Sequence, residues 1–160
     1  MSGEPGGLRP HNGLRYALSL SLLAFVAHFV WENVQCGALF VHGSFDATLG
    51  GMLFASAGDV LLTWVIYIAV AAAARRWTWP GQVWGWRIWL ALEVAAIALA
   101  IAIEARALGT GRWQYVDAMP LLPWTSIGLV PILQLTLVTP LVVRLNERLV
   151  RGRRRPGAAL

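Results

Sequence analysis

Ionisable side chains are rare inside the long apolar runs of this 160-residue sequence. Four of them are His28, Glu32, Asp59 and Glu104. A charged group at the depth of a bilayer costs about 3 kcal/mol or more unless it is paired or reaches water. Carboxyl groups crowded together at low dielectric cannot all ionise, so at least one is expected to stay protonated at neutral pH. A carboxylic acid beside a carboxylate or an imidazole is a general acid–base pair. The four residues are therefore predicted to be catalytic.

The spacing of the polar residues predicts that they share helix faces. Residues three, four and seven apart lie on one side of a helix. The two stripes with this spacing are Ser21, His28, Glu32 and Gln35, and Ser56, Asp59, Thr63 and Tyr67. Glu93 and Glu104 are eleven residues apart, close to three whole turns, and so face the same way. We expect the three polar faces to meet in a shared interior, with Glu93 outside the main site.

Aromatic and amide side chains near the same level complete the predicted site. Aromatic faces attract positive charge, so tryptophans around an acid suit a substrate that passes through a carbocation. The acid would protonate a carbon–carbon double bond, and a second group would remove a proton elsewhere. This is isomerase or cyclase chemistry on a sterol, a carotenoid or another isoprenoid that enters from the lipid. The predicted substrate-binding residues are Trp31, Gln35, Thr63, Trp64, Trp113, Tyr115 and Gln134.

Other interpretations use the same residues. No cofactor is predicted for the acid–base site, but the four ionisable side chains are also oxygen and nitrogen ligands for a divalent metal or for protons in transport. A third alternative is a homo-oligomer or an accessory subunit whose acids pair with arginines of a partner. A structural interpretation is open too, with His28 and Glu32 as a hydrogen-bonded pair and Gln134 as a helix–helix contact, and with Glu32 and Glu104 reaching surface water. The sequence contains no G-x-S-x-G, P-loop or C-x-x-C motif, which argues against common hydrolase, nucleotide and thiol chemistries.

The elements that must position these residues are predicted from composition and hydropathy. The sequence is 58% hydrophobic and 13% charged, whereas a soluble domain carries about 25% charged residues. Apolar runs of about 20 residues cross a membrane as helices, so we predict an all-α integral membrane protein, an antiparallel four-helix bundle. The first run is expected to be a retained span and not a cleaved signal peptide. The predicted segments are a flexible leader at 1–13, a membrane domain at 14–144 with spans at about 14–35, 52–74, 88–108 and 122–143, and a basic tail at 145–160.

The arginines predict the orientation of this bundle. All thirteen basic residues are Arg, and eleven of them fall on the side of the two termini, while Arg106 and Arg112 fall on the other side. Because cytoplasmic loops carry the excess of positive charge, both termini are predicted to be cytoplasmic, in a bacterial cytoplasmic membrane. The helical rise per residue then places the four ionisable side chains in the outer half of the bundle. The Arg-rich tail is expected to bind anionic lipid headgroups and not nucleic acid.

The segment His28-Phe-Val-Trp-Glu32, an H-x-x-x-E pair on a span, resembles the histidine–glutamate pair of the emopamil-binding sterol isomerases of the EXPERA group. The likeness covers the first span, the helix count and the topology. It implies a small bundle on a four-helix core, acids in a lipid-accessible cavity, and His28 and Glu32 as an acid–base pair. Other short signatures, such as Gly58-Asp59 and Gly111-Arg-Trp-Gln-Tyr115, resemble those of small bacterial four-span membrane proteins of unassigned function.

Overall fold

The computed structural model describes residues 10–41, 48–77 and 85–152, and within these ranges it is helical apart from two short strands and their connections. The elements are α1 (Pro10–Leu39), β1 (Phe40–Val41), α2 (Leu49–Ala73), α3 (Trp86–Gly109), β2 (Gln114–Tyr115) and α4 (Leu129–Gly152). Among the described residues, four helices are long and apolar enough to cross a membrane. The prediction of an all-α integral membrane protein with four spans is confirmed at this level. Most of the predicted leader (1–9) and the end of the tail (153–160) lie outside the described residues.

The surface of α1 is apolar and part of its interior is polar, the reverse of a helix in a soluble bundle. Every fourth residue from Leu18 to Val34 is Leu or Val and is more than half exposed. The buried stripe of the same helix contains His28, Glu32 and Gln35. Polar side chains directed inward and apolar side chains directed outward are what a lipid environment favours.

The four helices pack around a common core in the order of the chain. α1 contacts α2 and α4, and α3 contacts the same two helices. The apolar part of the core is densely filled by side chains with almost no exposure, including Leu20, Ile66, Leu92, Val138 and Val142. This apolar layer separates a polar group of residues at one end of the bundle from another at the opposite end.

The connections that follow α1 and α3 meet at one end of the molecule. β1 pairs with β2 in an antiparallel ladder, with Phe40 opposite Tyr115 and Val41 opposite Gln114. The N–H of Val116 also donates to the carbonyl of Leu39, at 3.1 Å. We call this end of the molecule, formed by β1, β2 and residues 110–128, the β end. It holds the last turns of α1 and α3 and the first turns of α2 and α4.

Local signals fix two helix ends at the β end. Thr48 caps α2, since its side-chain oxygen accepts from the N–H of Gly51 at 3.1 Å. After α3 the chain turns at Gly111, which has a φ of 65°, and the N–H of Arg112 returns to the carbonyl of Ala107 at 2.9 Å. Glycine adopts this left-handed backbone without the strain that a Cβ causes. The turn directs the following residues back over the end of α3.

The fourth span begins later than predicted. The span expected at 122–143 is observed as α4 (Leu129–Gly152), and the preceding residues form a turn closed by a bridge between Leu121 and Gly128. Hydropathy alone predicted helix here because the turn contains several apolar side chains. Pro120 and Pro123 lack the N–H that a helix interior needs, and each disfavours helical backbone in the residue before it.

The same helix continues beyond the predicted end of the membrane domain. α4 extends to Gly152, so the first part of the tail predicted at 145–160 is helical. Asn146 is fully buried and Glu147 is 6% exposed. The start of the predicted tail is therefore part of the packed bundle.

Candidate functional site

The side-chain amide of Gln134, on α4, lies at the centre of the site. Its Nε2 is within hydrogen-bond distance of three acceptors: His28 Nδ1 at 3.1 Å, Glu32 Oε1 at 3.0 Å and Asp59 Oδ2 at 2.9 Å. Gln134, His28 and Glu32 are buried, and 17% of the Asp59 side chain is exposed. We call these four residues, together with Gln35, the Gln134 cluster. It joins α1, α2 and α4.

Donors and acceptors in the Gln134 cluster are unequal in number. A carboxamide nitrogen carries two hydrogens, whereas three acceptors surround Gln134 Nε2. Gln35 fixes the orientation of the amide, since its own Nε2 donates to Gln134 Oε1 at 2.9 Å and to Glu32 Oε1 at 2.8 Å. Gln134 therefore cannot donate to all three groups at once, and the tautomer of His28 decides whether its Nδ1 is an acceptor.

Glu32 receives the most hydrogen bonds of the acids in the site. Its Oε1 accepts from Gln35 and Gln134, and its Oε2 accepts from the thiol of Cys36 at 2.9 Å. Gln35 is held in place in turn, because Trp31 Nε1 donates to its Oε1 at 2.8 Å. These donors hold both oxygens of the Glu32 carboxyl group in place.

Within the Gln134 cluster, His28 lies between α1 and α2, on the side away from the cavity. Its Nε2 is 3.0 Å from Thr63 Oγ1, and its Nδ1 is 3.8 Å from Asp59 Oδ2. Both His28 and Thr63 are fully buried. Since the two ring nitrogens are both within reach of protein groups, the imidazole is fixed in orientation and supports Asp59 and Gln134 from behind.

Glu104 is held separately, by residues of the connection that follows α3. Tyr115 Oη donates to Glu104 Oε2, and Trp113 Nε1 donates to the same oxygen at 3.2 Å. Tyr115 Oη accepts from the N–H of Gly128 at 3.1 Å. Burial, together with the neighbouring Glu104 carboxyl, raises the pKa of Tyr115, so its hydroxyl keeps the hydrogen that it donates. Among the described residues both donors to Glu104 use Oε2, and Oε1 remains the oxygen available to a ligand.

A cavity of about 430 Å³ lies between the Gln134 cluster and Glu104. This volume is within the range of about 300–1,000 Å³ that is usual for small-molecule sites. Phe54 and Leu61, which line it, are each 66% exposed, so the cavity reaches the outer surface of α2. Its mainly apolar walls come from all four helices and β1 and include Phe40, Val41, Met52, Phe54, Ala55, Leu61, Leu62, Ala100, Ile103, Pro131 and Leu135.

The structure brings part of the predicted site together around this cavity. The predicted residues that line it are Glu32, Gln35, Asp59, Glu104, Trp113 and Gln134. Two of the others, Trp31 and Tyr115, support lining residues through the hydrogen bonds to Gln35 and Glu104. His28 and Thr63 pair behind the lining. Trp64 is directed elsewhere, since its Nε1 donates to Ser21 Oγ at 3.0 Å.

Cavity-lining residues that were not predicted from the sequence to belong to the site include Cys36, Phe40 and Arg112. Cys36 had a usable signal, because it follows Glu32 by four residues and so shares its helix face. Phe40 and Arg112 lie in connections, where spacing does not predict a direction. The guanidinium of Arg112 rests 5.6 Å from the ring centroid of Trp113.

Two further predictions concern residues around the site. Glu93 does not line the cavity, in agreement with its predicted place outside the main site. Within residues 13–41, 48–77 and 85–150, no group of three or more His, Cys, Asp or Glu side chains is arranged to hold a metal ion. The divalent-metal alternative for His28, Glu32, Asp59 and Glu104 stays a prediction.

Comparison with protein-family models, with curated proteins and with solved structures gave no match to this chain.

Proposed function

We propose that this chain is a membrane enzyme whose carboxyl groups at the β end carry out acid–base chemistry on a hydrophobic lipid or isoprenoid, as an isomerase or a cyclase. The observation that carries the proposal is the convergence of Glu32, Asp59 and Glu104, from three helices, on one mainly apolar cavity. Acids at membrane depth are costly. A mainly apolar pocket with a few converging polar groups is the usual form of a small-molecule site.

The proposal includes the topology: an antiparallel bundle in a bacterial cytoplasmic membrane, with both termini in the cytoplasm and the β end outside. Two features support it. The pairing of β1 with β2 joins the connection after α1 to the connection after α3. The end of the bundle opposite the β end is rich in arginine, a distribution that is typical of a cytoplasmic face. These arginines are Arg75, Arg76, Arg87, Arg144 and Arg148.

In this proposal Asp59 is the acid and Glu104 is the base. Glu32 accepts from Gln35, Gln134 and Cys36, and Gln134 Nε2 lies 2.9 Å from Asp59 Oδ2. Asp59 lines the cavity, and it is the carboxyl to which we assign the proton. Glu104, whose Oε2 is held by two donors, presents Oε1 to accept a proton from the substrate.

The reaction needs no co-reactant. Asp59 would add a proton to one carbon of a carbon–carbon double bond, and Glu104 would remove a proton from a different carbon, so the formula of the substrate is unchanged. The intermediate cation would lie near Trp113 and Phe40, since aromatic faces stabilise positive charge. The proton then returns from Glu104 to Asp59 before the next turnover.

The resemblance to the EXPERA sterol isomerases agrees with this reaction class but gives His28 and Glu32 the acid–base role. We assign these two residues a positioning role instead. His28 does not line the cavity and contacts Thr63, Gln134 and Asp59. Glu32 accepts from the amides of Gln35 and Gln134 and so fixes the side chains that lie beside Asp59.

Deuterium exchange tests the proposed chemistry without knowledge of the substrate. The purified protein in liposomes is incubated in D₂O with an isoprenoid mixture that includes sterols and carotenoids, and deuterium on carbon is measured by mass spectrometry. Reversible protonation of a double bond introduces deuterium. We expect incorporation into at least one lipid with the wild type, and a loss of about 100-fold or more in Asp59→Asn and in Glu104→Gln.

Glu93→Gln is the matched control for these variants, because Glu93 is a carboxyl on the same helix as Glu104 and lies outside the cavity lining. It should incorporate deuterium at the wild-type rate. Equal incorporation by wild type and Asp59→Asn would overturn the proposed acid.

A second function, proton binding for transport, is favoured by the carboxyl groups of Glu32 and Asp59 that meet at the amide of Gln134. Carboxyl groups inside a membrane bundle are typical of proton relays. In liposomes loaded with a pH-sensitive dye, a proton carrier would change the internal pH on imposition of a potential, and Asp59→Asn would abolish the change. Bound metal in the purified protein, lost in the same variant, would favour the metal alternative, and co-purification of a fixed partner would favour the accessory-subunit alternative.

A further inference from the structure

The donors that line the cavity are almost all used within the protein. Gln35 and Gln134 donate to each other or to the acids, Cys36 donates to Glu32, and Trp113 donates to Glu104. A ligand that needs a hydrogen-bond donor therefore finds these groups already engaged. A buried acceptor that gains no donor loses binding free energy, so the remaining donor on the cavity wall decides which polar group a ligand can carry.

That remaining donor is Arg112. Its side chain lines the cavity and is exposed. Among residues 13–41, 48–77 and 85–150, the ion pairs are His28 with Asp59 and Arg144 with Glu147, so none involves Arg112. The centre of the guanidinium lies 5.6 Å from the centroid of the Trp113 ring. Arg112 thus combines a contact with the neighbouring ring, a charge outside these ion pairs and access to the cavity.

The position of Arg112 along the molecule adds a second argument. It lies at the β end, directly before Trp113 and β2, where the mouth of the cavity meets the headgroup level in the proposed topology. The acids lie deeper, on α1, α2 and α3. A ligand with an anionic group at one end could place it at Arg112 and extend an apolar chain along Phe54 and Leu61.

We propose that Arg112 is an anion subsite and that the ligand of this cavity is an amphiphile with a phosphate or carboxylate headgroup, such as an isoprenoid phosphate. The inference rests on the proposed function, and it names the substrate class of the same site. Arginine suits this task because its planar guanidinium binds phosphate and carboxylate through two parallel hydrogen bonds. The headgroup stays at the mouth of the cavity, away from the carboxyls that would repel it.

Native mass spectrometry of the detergent-solubilised protein tests the proposal with three probes: farnesyl phosphate, farnesol and inorganic phosphate. Farnesyl phosphate and farnesol share the chain and differ in the charged headgroup. We expect the wild type to bind farnesyl phosphate about tenfold more tightly than farnesol. Inorganic phosphate should not bind at the same concentrations, which distinguishes a lipid headgroup from a free anion.

Three variants complete the experiment. Arg112→Gln should bind both isoprenoid probes equally, and Arg112→Lys should keep part of the preference because it keeps the charge without the two parallel hydrogen bonds. Arg106→Gln is the matched control, since Arg106 is an exposed arginine in the last turn of α3 that does not line the cavity. It should keep the wild-type preference.

The outcomes separate this inference from the proposed function. If the wild type binds farnesol and farnesyl phosphate equally, Arg112 is not an anion subsite and the proposed function is unaffected. A preference that persists in Arg112→Gln, or that Arg106→Gln removes as well, would also overturn the inference. If neither isoprenoid probe binds, both proposals fail. Binding of inorganic phosphate as tight as that of farnesyl phosphate would show that a free anion, and not a lipid, is bound.

Discussion

Two groups of buried polar side chains lie at opposite ends of the bundle, and they differ in whether they border the cavity. At the β end the Gln134 cluster places three acceptors around one amide nitrogen and borders the cavity. At the opposite end Asn146, on α4, has a partner on each side of its amide. Its Oδ1 accepts from Ser19 Oγ, and its Nδ2 donates to the carbonyl of Tyr16 at 3.1 Å. We call Tyr16, Ser19 and Asn146 the Asn146 cluster.

This difference separates a structural polar contact from a candidate site. Both clusters are buried at helical depth and both join α1 to α4, so depth and burial alone do not distinguish them. Both groups of the Asn146 amide contact protein partners, and Asn146 lies away from the cavity lining, as expected for a contact that fastens two helices. The Gln134 cluster contains the carboxyl groups of Glu32 and Asp59 and opens onto space that a ligand can occupy. The following predictions test this contrast in order of decreasing effect on stability.

The largest effect on the free energy of unfolding is expected for Gln134→Leu, compared with Asn146→Leu at the opposite end of the bundle. Gln134→Leu leaves His28, Glu32 and Asp59 without the donor that they share, and a buried charge that loses its partner costs about 3–5 kcal/mol. Asn146→Leu should cost only about 1–2 kcal/mol. The reason is that Ser19 Oγ also reaches the carbonyl of Arg15 in its own helix, at 2.7 Å.

The measurement is the free energy of unfolding in mixed micelles, from titration with a denaturing detergent followed by circular dichroism. Both substitutions replace an amide on the same helix by the same apolar side chain, so each serves as the control for the other. An equal cost for the two would mean that Gln134, like Asn146, acts only as a contact between helices.

A smaller effect on stability is expected at Gly128, in the connection before α4. Its N–H donates to Tyr115 Oη, which in turn donates to Glu104. A Cβ at this position would lie 3.0 Å from both Cζ and Oη of Tyr115 and 3.1 Å from Met119 Sδ. Gly128→Ala should therefore displace the Tyr115 ring from Glu104 and cost about 1–3 kcal/mol. The free energy of unfolding measures this cost.

A double-mutant cycle identifies the cause of that cost. In a Tyr115→Leu background the ring tip is absent, so Gly128→Ala should cost at least about 1 kcal/mol less than it does alone. Gly109→Ala is the control, since a Cβ there meets nothing within 4 Å. Additive costs in the cycle would show that Gly128 does not act through Tyr115.

The sequence predicted the Gln134 cluster better than it predicted the rest of the site, for a physical reason. A helical stripe fixes which residues of one helix face the same way, so His28, Glu32 and Gln35 could be grouped from spacing alone. Hydropathy placed four apolar segments, and their polar members had to be directed inward. Gln134 could be recognised as polar at mid-membrane depth, but its contact with the four other residues of the cluster depends on the rotation of α4, which hydropathy does not give.

The predictions made from sequence fail where the position of a side chain depends on irregular backbone or on the rotation of one helix relative to another. Residues 122–128 are partly apolar and were included in a span, but Pro123, together with Pro120 before them, favours a turn. Trp64 was placed at the level of the site by helical rise, whereas its side chain bonds to Ser21. Arg112 was not selected because its direction depends on the turn at Gly111, which spacing does not describe.

The smallest effect on stability is expected at Gly58. A substitution there also tests most directly whether the cavity beside the Gln134 cluster holds the ligand. Gly58 lies on α2 beside Asp59, lines the cavity and has open space around the position of a Cβ. Gly58→Leu should leave the bundle folded and stabilise α2 by up to about 1 kcal/mol, since Leu is the better helix former. The new side chain would occupy the space beside Asp59, so we expect binding of farnesol and deuterium incorporation to be lost.

Gly37→Leu is the matched control for Gly58→Leu. Gly37 is also a helical glycine with open space around its Cβ position, and it lies outside the cavity lining. It should gain the same small stability and keep binding, measured by native mass spectrometry on the same preparation. Because both variants carry the same substitution in a helix, a loss of binding in Gly58→Leu alone can only come from the filled cavity. Retention of binding in both would mean that the space beside Asp59 is not where the ligand lies, and the acids at the β end would then have to be interpreted like Asn146, as contacts between helices.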